Sequence, residues 1–491
     1  MIGVLLLATF LGSRQLNTDL FWLDEEFSVY MSGGDFYGPI SPLEIIDRVK
    51  NHAWPPLYNF ALVPWGTLVG WSEFSLRVFA LLPGVLAVAV VYRLGTRLYS
   101  SRVGLLAALL TAASAFYVNY LHEARAYTLF VLFAALSLWS YWRLLRGDRR
   151  GTGVLFVLST AALLYTHYIA AAGCIALGLY HLFFVPKDHH WHRITRLGIG
   201  VIVLFIPWSA VAILAAIAES GDSRGLDTLT IISEIAHGFA NGLWLYTAIL
   251  IVGAVLLLRG RSTGFLAFWL VGTLAAALLM NLYADFLFHI RHIILLLPAL
   301  YILFAAVIDA IGQRSKWLAG LTLSIWLAAG LYNIITPDFI NNLKGQFPTI
   351  PREFLTETRQ ILNQCANPDD VVVFYVSRIE DEALNNRLVR YYMHGQPYHY
   401  AQIGTLGDLA EMTIGEGDYA DKAEWLTRDA EQVWLFALNT LPPTSFVDEF
   451  DQAMQASHPV CGRSSSNPVM DVHLYTRDDS LTCPRITEAC R

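Results

Sequence analysis

Three adjacent carboxylates, Asp24, Glu25 and Glu26, stand in Phe21-Trp-Leu-Asp-Glu-Glu-Phe-Ser28, a few residues beyond an apolar stretch. Loops carry solvated acids at little cost, but Phe21, Trp22 and Phe27 favour the membrane interface or a packed site. Carboxylates held where water is scarce become stronger bases and ligands. A second group, His122, Glu123, Arg125 and Tyr127, interrupts apolar sequence in Tyr120-Leu-His-Glu-Ala-Arg-Ala-Tyr127. Arginine and glutamate at membrane depth are expensive and are normally paired or functional. Glu123 can neutralise Arg125 locally, or Arg125 can hold an anion, for which a guanidinium fork is well shaped.

A third group is His289-Ile-Arg-His292, with Asp285 one turn earlier and Arg291 either its ion-pair partner or a second anion holder. His52 and Trp54 precede Pro55-Pro-Leu-Tyr58, and Trp54 suits the interface or stacking on a sugar ring. His189, His190 and His192 read as polar loop rather than metal ligands. Carboxylates, two arginines with imidazoles and aromatics thus gather at helix ends, chemistry that fits a lipid-linked phosphate. Transporters more often place charged sites near the bilayer midplane and show repeated halves. No internal repeat is evident.

The elements that must hold these groups are apolar helices. Of 491 residues, 55% are hydrophobic and 15% charged, well below the roughly 25% charge of a soluble domain. Stretches at roughly 2–13, 76–94, 103–120, 124–142, 154–168, 170–185, 197–217, 242–258, 264–282, 291–309 and 317–334 read as spans. The expectation is a polytopic α-helical membrane protein with about 11 transmembrane helices and a C-terminal extracytoplasmic α/β domain. Basic residues collect in alternate connections, at 93–102, 143–150, 187–196, 259–261 and 314–316. Short Lys/Arg-rich loops stay cytoplasmic, which puts the N-terminus inside and residues 14–75 and 335–491 outside. The first outer loop reads as structured, with a cap-like Ser41-Pro-Leu-Glu44 and a helix starting near Pro56.

The two domains expected are 1–334 in the membrane, including loop 14–75, and 335–491 in water. The second carries 12 Lys/Arg against 23 Asp/Glu, a balance of -11, whereas residues 1–334 balance at +4. Asp370–Val376, Gln432–Leu438 and Val472–Thr476 read as strands, and Glu382–Met393 and Phe446–Ala456 as helices. No Gly-rich loop or nucleophile elbow appears, so a lid or substrate-positioning domain is expected. Cys365, Cys461, Cys483 and Cys490 can pair in three ways and favour an oxidising compartment, while Cys174 lies in an apolar run. A net charge of -7 without a basic tract argues against nucleic acid.

Trp22-Leu-Asp-Glu-Glu-Phe-Ser28, Pro55-Pro-Leu-Tyr58, Ser72-Glu-Phe-Ser-Leu-Arg77, Glu123-Ala-Arg-Ala-Tyr127 and Arg291 ahead of Leu295-Leu-Leu-Pro298 occur in that order. The ordered set resembles the GT-C superfamily of membrane glycosyltransferases, in the bacterial group related to protein O-mannosyltransferases and the lipid A aminoarabinose transferase. The resemblance covers about the first 300 residues. It implies a polyprenyl-phosphate-linked sugar donor, transfer on the external face of the bacterial inner membrane, and a protein, lipid or glycan acceptor. Asp24 and Glu25 map onto the catalytic acid pair, Asp24 activating or orienting the acceptor. Arg125, Tyr127 and Arg291 map onto the donor-phosphate site. His52, Trp54, His122 and His289 are candidate acceptor or sugar contacts. Relatives often carry His or Glu-Lys directly before the two prolines, where this chain has Ala53-Trp54. That departure leaves a divalent metal open and adds no certain cofactor.

Overall fold

A backbone crossing lipid must satisfy its own hydrogen bonds, so apolar stretches there become helices. In the computed structural model, six helices are long and apolar enough to cross a membrane: Glu73–Leu98, Tyr127–Leu145, His189–Leu214, Arg261–Tyr283, Ile290–Arg314 and Lys316–Ile335. Ser101–Ala112 and Ala115–Leu121 form a seventh if their 67° bend is counted as one span. The chain is an integral membrane protein. Described are all residues except 19, 52–53, 148–149, 220–225, 258, 285–286, 288, 337–338, 340–351, 369, 376–381, 394–395, 404–411, 415–429, 439–444, 456–457, 459, 468–469 and 478–491.

The expectation of about eleven spans is therefore corrected to six or seven among the described residues. Helices Ile2–Ser13, Gly151–Leu164, Ala170–Phe184 and Tyr246–Leu256 are apolar but have fewer than 18 residues. At 1.5 Å per residue they reach only about 16–23 Å, short of the ~30 Å hydrocarbon core. Hydropathy counts apolar residues and does not see where a helix is cut. The run at 103–120 is cut by Ser114, whose hydroxyl accepts from Tyr117 N at 3.2 Å and starts a new helix. His52 and Asp285, with Cys483 and Cys490, lie outside the described residues.

The chain divides into two compact units, one of Met1–Leu16 with Met31–Gln346, the other of Asn17–Tyr30 with Phe347–Arg491. In the first, long helices pack closely through small residues: a Cβ on Gly95 would meet Gly104 Cα at 2.9 Å. Helices Tyr127–Leu145 and Ile290–Arg314 run in the same direction, because Arg291 at the start of one lies over Tyr127 at the start of the other. Their far ends carry Arg143, Arg146 and Arg314. Arg102 joins that far end through an ion pair with Asp309 at 3.0 Å. Ser262 Oγ donates to Leu98 O at 2.8 Å, which brings Arg261 there too.

The second unit is built on a mixed six-stranded sheet, not only the three strands legible in sequence. Its strands are β1 (Val371–Tyr375), β2 (His399–Ile403), β3 (Met412–Ile414), β4 (Gln432–Leu438), β5 (Val460–Asn467) and β6 (Met470–Thr476). They lie in the order β3-β2-β1-β4-β6-β5. β1 pairs in parallel with β2 and β4, and β2 with β3, while β6 runs antiparallel to β4 and β5. Every residue of β1 is buried, as expected of a parallel strand covered on both faces. Helices Arg352–Cys365, Glu382–Met393 and Ser445–Met454 accompany the sheet. Leu20, more than 330 residues earlier, belongs to the same core as Phe354, Val389 and Met393. Cys365 is disulfide-bonded and Cys174 is a free thiol.

Candidate functional site

Within the membrane unit, the ends of several helices bring one basic and aromatic cluster together. Arg125 follows the short helix Ala115–Leu121 and is fixed by its own backbone, whose N–H donates to Glu123 O at 2.7 Å. Its guanidinium carbon lies 4.1 Å from the centre of the Trp54 ring. Trp54 is half-buried, and its backbone N–H donates to Val49 O at 2.8 Å. The following Pro-Pro turn is held because Leu57 N donates to Tyr165 O at 3.1 Å. Arg291 sits in a 3-10 turn, Ile290–Leu296, that begins at His289, and its guanidinium carbon is 5.8 Å from the Tyr127 ring centre. Arg125 is only 4% exposed and Arg291 7%.

Three imidazoles join them. His289 and His292 have ring centres 6.2 Å apart, and His167 is 5.3 Å from His292. His167 stacks on Phe130 at 5.0 Å and faces Tyr127 at 6.4 Å. It lies in the loop between helices Arg150–Leu164 and Ala170–Phe184. Burial, then the charges of Arg125 and Arg291, push its pKa down to about 3, so the ring is neutral at working pH. Both arginines therefore lie close enough to His167 for their charge to act on one buried ring. Such charge in a low-dielectric setting strongly favours an anion. Glu123 is fully buried and accepts from Asn119 Nδ2 at 2.9 Å. His122 is buried beside it in sequence.

The carboxylates Asp24, Glu25 and Glu26 open helix Leu23–Ser32, whose first turn they occupy. Acids there are stabilised by the helix dipole. Their residues belong to the second unit. Glu25 Oε2 accepts from Trp22 N at 3.3 Å. Glu26, fully buried, accepts from Arg387 Nε at 3.0 and 2.8 Å with its two oxygens. Asp24 is half-buried, and its carbonyl accepts from Ser28 Oγ at 3.2 Å. Among the described residues no three His, Cys, Asp or Glu side chains are grouped to hold a metal ion. The metal left open by the resemblance gains no ligand set among these residues.

Residues 53–213 match the family model described as dolichyl-phosphate-mannose-protein mannosyltransferase. No curated protein matches in sequence. Over 99% of this chain and 98% of the other, the structure is similar to ArnT from Cupriavidus metallidurans bound to undecaprenyl phosphate, with a TM-score of 0.59 at 14% identity. The fold is shared with that protein. The likeness extends to the archaeal oligosaccharyltransferase AglB from Archaeoglobus fulgidus, with a TM-score of 0.51 at 10% identity over 97% of this chain and 74% of that one. That AglB structure holds an inhibitory peptide and a dolichol-phosphate.

Trp54, His122, Arg125, Tyr127, His289 and Arg291, read from sequence as candidates, all lie in the first unit. Asp24 and Glu25 lie in the second. Sequence reasoning missed His167 and Arg387. His167 looked like the end of an apolar span, and its one signal was the polar Tyr165-Thr-His-Tyr168 between two apolar runs. Arg387 is separated from Glu26 by 361 residues, and nothing local marks it.

Proposed function

We propose that this protein is a glycosyltransferase that moves a sugar from a polyprenyl-phosphate donor to an acceptor on the extracytoplasmic face. The observation that carries this reading is the cluster of Arg125 and Arg291, both buried and set against Trp54, Tyr127 and neutral His167. A long-chain phosphate could place its head there while its tail stays in lipid. The shared fold with ArnT and AglB, each determined with a polyprenyl-type phosphate, supports the donor class.

Sidedness is supported by the far ends of the same helices. Arg97, Arg102, Arg143, Arg146, Arg261 and Arg314 gather there, and two of them lie over tryptophans, Arg143 on Trp139 at 4.8 Å and Arg146 on Trp142 at 5.4 Å. An excess of arginine at the helix ends marks the cytoplasmic boundary, and tryptophan marks the lipid–water interface there. The Arg125–Arg291 end then faces outward, in the bacterial inner membrane, with the C-terminal domain outside. Disulfide-bonded Cys365 agrees with an oxidising compartment.

In the proposed reaction an acceptor hydroxyl or amine attacks the anomeric carbon of the donor sugar. A bond forms from acceptor oxygen or nitrogen to that carbon, and the bond from the carbon to the phosphate oxygen breaks. The electron pair leaves with polyprenyl phosphate, whose charge Arg125 and Arg291 stabilise. The acceptor's proton passes to Asp24, the carboxylate assigned to it from the family motif, with Glu25 beside it in the acid pair. A single displacement inverts the anomeric configuration. His122, His289 and Trp54 remain the proposed sugar or acceptor contacts.

The test is transfer of a labelled sugar from polyprenyl phosphate by protein reconstituted in lipid, offered a panel of acceptors. Asp24→Asn should abolish transfer while the protein still inserts and folds, and Arg125→Ala should raise the donor KM. Movement of label across the membrane without a new glycosidic bond would replace the reading by that of a flippase.

A further inference from the structure

We infer that Arg387 is a positioning residue for the proposed transfer: by gripping Glu26 it fixes the helix that carries Asp24. The inference rests on the assignment of Asp24 above, but its structural half stands on contacts inside the second unit alone. Segment Asn17–Tyr30 contributes no strand to the sheet, and helix Leu23–Ser32 has only 10 residues. A helix that short is not stable by itself in water. It therefore depends on anchors.

The anchors at the Asp24 end come from helix Glu382–Met393, while Ser32 at the other end accepts from Asn59 Nδ2 at 3.0 Å. Leu20 is buried in the core formed with Val389 and Met393. Phe21 N donates to Tyr392 OH, and the Phe21 ring packs on Tyr391 at 6.2 Å. Arg387 Nε then bridges both oxygens of Glu26. Its guanidinium carbon lies 5.0 Å over the Phe27 ring and 4.6 Å over Tyr30. One side chain thus touches three residues across about one turn of the short helix. The grip is directional, because a carboxylate with no exposed surface needs a charged partner in one place.

The placement of Asp24 follows from helix geometry. Two residues along an α-helix turn the side chain by about 200°. Arg387 therefore holds the helix by a flank, centred on Glu26 and Tyr30, that is rotated away from the Asp24 position. Arg387 is not needed for the sheet itself: Leu388, Val389 and Met393 on the same helix are buried in the core without it. Removing the guanidinium should loosen residues 21–30 and leave the sheet in place. The C-terminal domain then sets the orientation of a catalytic helix encoded more than 350 residues earlier.

The experiment compares the full-length wild type with Arg387→Ala and Arg387→Lys in lipid, by hydrogen exchange and by steady-state transfer. Arg387→Ala should speed exchange in residues 21–30 tenfold or more, leave β1 and β4 unchanged, lower kcat at least tenfold and keep the donor KM within twofold. Arg387→Lys, which keeps the charge, should recover part of kcat. Unchanged exchange in 21–30, a kcat within twofold of wild type, or a loss that appears in the donor KM overturns the inference. If Arg387→Ala also exposes β1 and β4, Arg387→Lys and Glu26→Gln are judged by the same criteria. Wild-type protein that transfers to no acceptor overturns the transfer reading, while the exchange data still decide whether Arg387 anchors the segment. A wild type that transfers, with Arg387→Ala loosened but fully active, overturns the positioning role alone.

Discussion

Replacing Trp54 by alanine removes the aromatic face that lies 4.1 Å from the guanidinium carbon of Arg125. The backbone bond from Trp54 N to Val49 O does not involve the side chain and survives. A cation over a tryptophan is worth ~0.5–1 kcal/mol when exposed and ~2 kcal/mol or more when desolvated. Arg125 is buried and Trp54 half-buried, so ~1–2 kcal/mol is the appropriate range. At about 1.4 kcal/mol per tenfold, that is roughly a 5- to 30-fold loss. If Arg125 holds the donor phosphate, the loss should fall on the donor kcat/KM, through KM. Trp54→Phe keeps an aromatic face and should stay within about threefold of wild type. The assay is transfer in liposomes at varied donor concentration, with polyprenyl phosphate as a competing product and thermal unfolding as the control for folding. A Trp54→Ala donor KM within twofold of wild type, with unchanged inhibition by polyprenyl phosphate, refutes the role given to this pair.

Acid stability should depend on His167. Its folded-state pKa of about 3 lies below the ordinary 6.5, so folding favours the neutral ring. That contribution is complete above pH 6.5 and is lost as pH falls toward 3. His167→Asn should flatten the drop in thermal stability between pH 6 and pH 4 (on the order of 1.4 kcal/mol per pH unit at most); an unchanged acid limb would contradict the burial argument. Gly330→Ala should be severe, because the new Cβ would sit 2.1 Å from Ala113 O and 2.7 Å from Asn241 Nδ2. Asn241 also donates to Trp326 O and accepts from Ala115 N, tying three segments together. Destabilisation of ~3 kcal/mol or more is expected, read as loss of folded protein in detergent, and a variant as stable as wild type would contradict this packing.

Much of the second unit was legible locally. Asp370–Val376, Gln432–Leu438 and Val472–Thr476 read as strands, and β1, β4 and β6 lie within a residue or two of them. Val460–Asn467 was missed because Arg463 and three serines lack the apolar pattern of a strand. It lies at the sheet edge, where a polar strand is tolerated. The polar interruptions at 122–127 and 289–292 stood out because charge in apolar sequence needs a reason. They do fall at one end of the membrane unit, on Trp54 and Tyr127.

Sequence by itself determined that this chain enters a membrane, that its last third is an acidic domain in water, and which helix ends carry arginine. Those properties follow from the solvent each residue prefers, a local quantity. Tertiary structure alone decided that six or seven helices among the described residues are long enough to span, that His167 joins the two arginines, and that residues 17–30 belong with the C-terminal sheet. Helix ends depend on caps and bends, and a grip such as Arg387 on Glu26 joins side chains 361 residues apart. No window along the chain is wide enough to contain both.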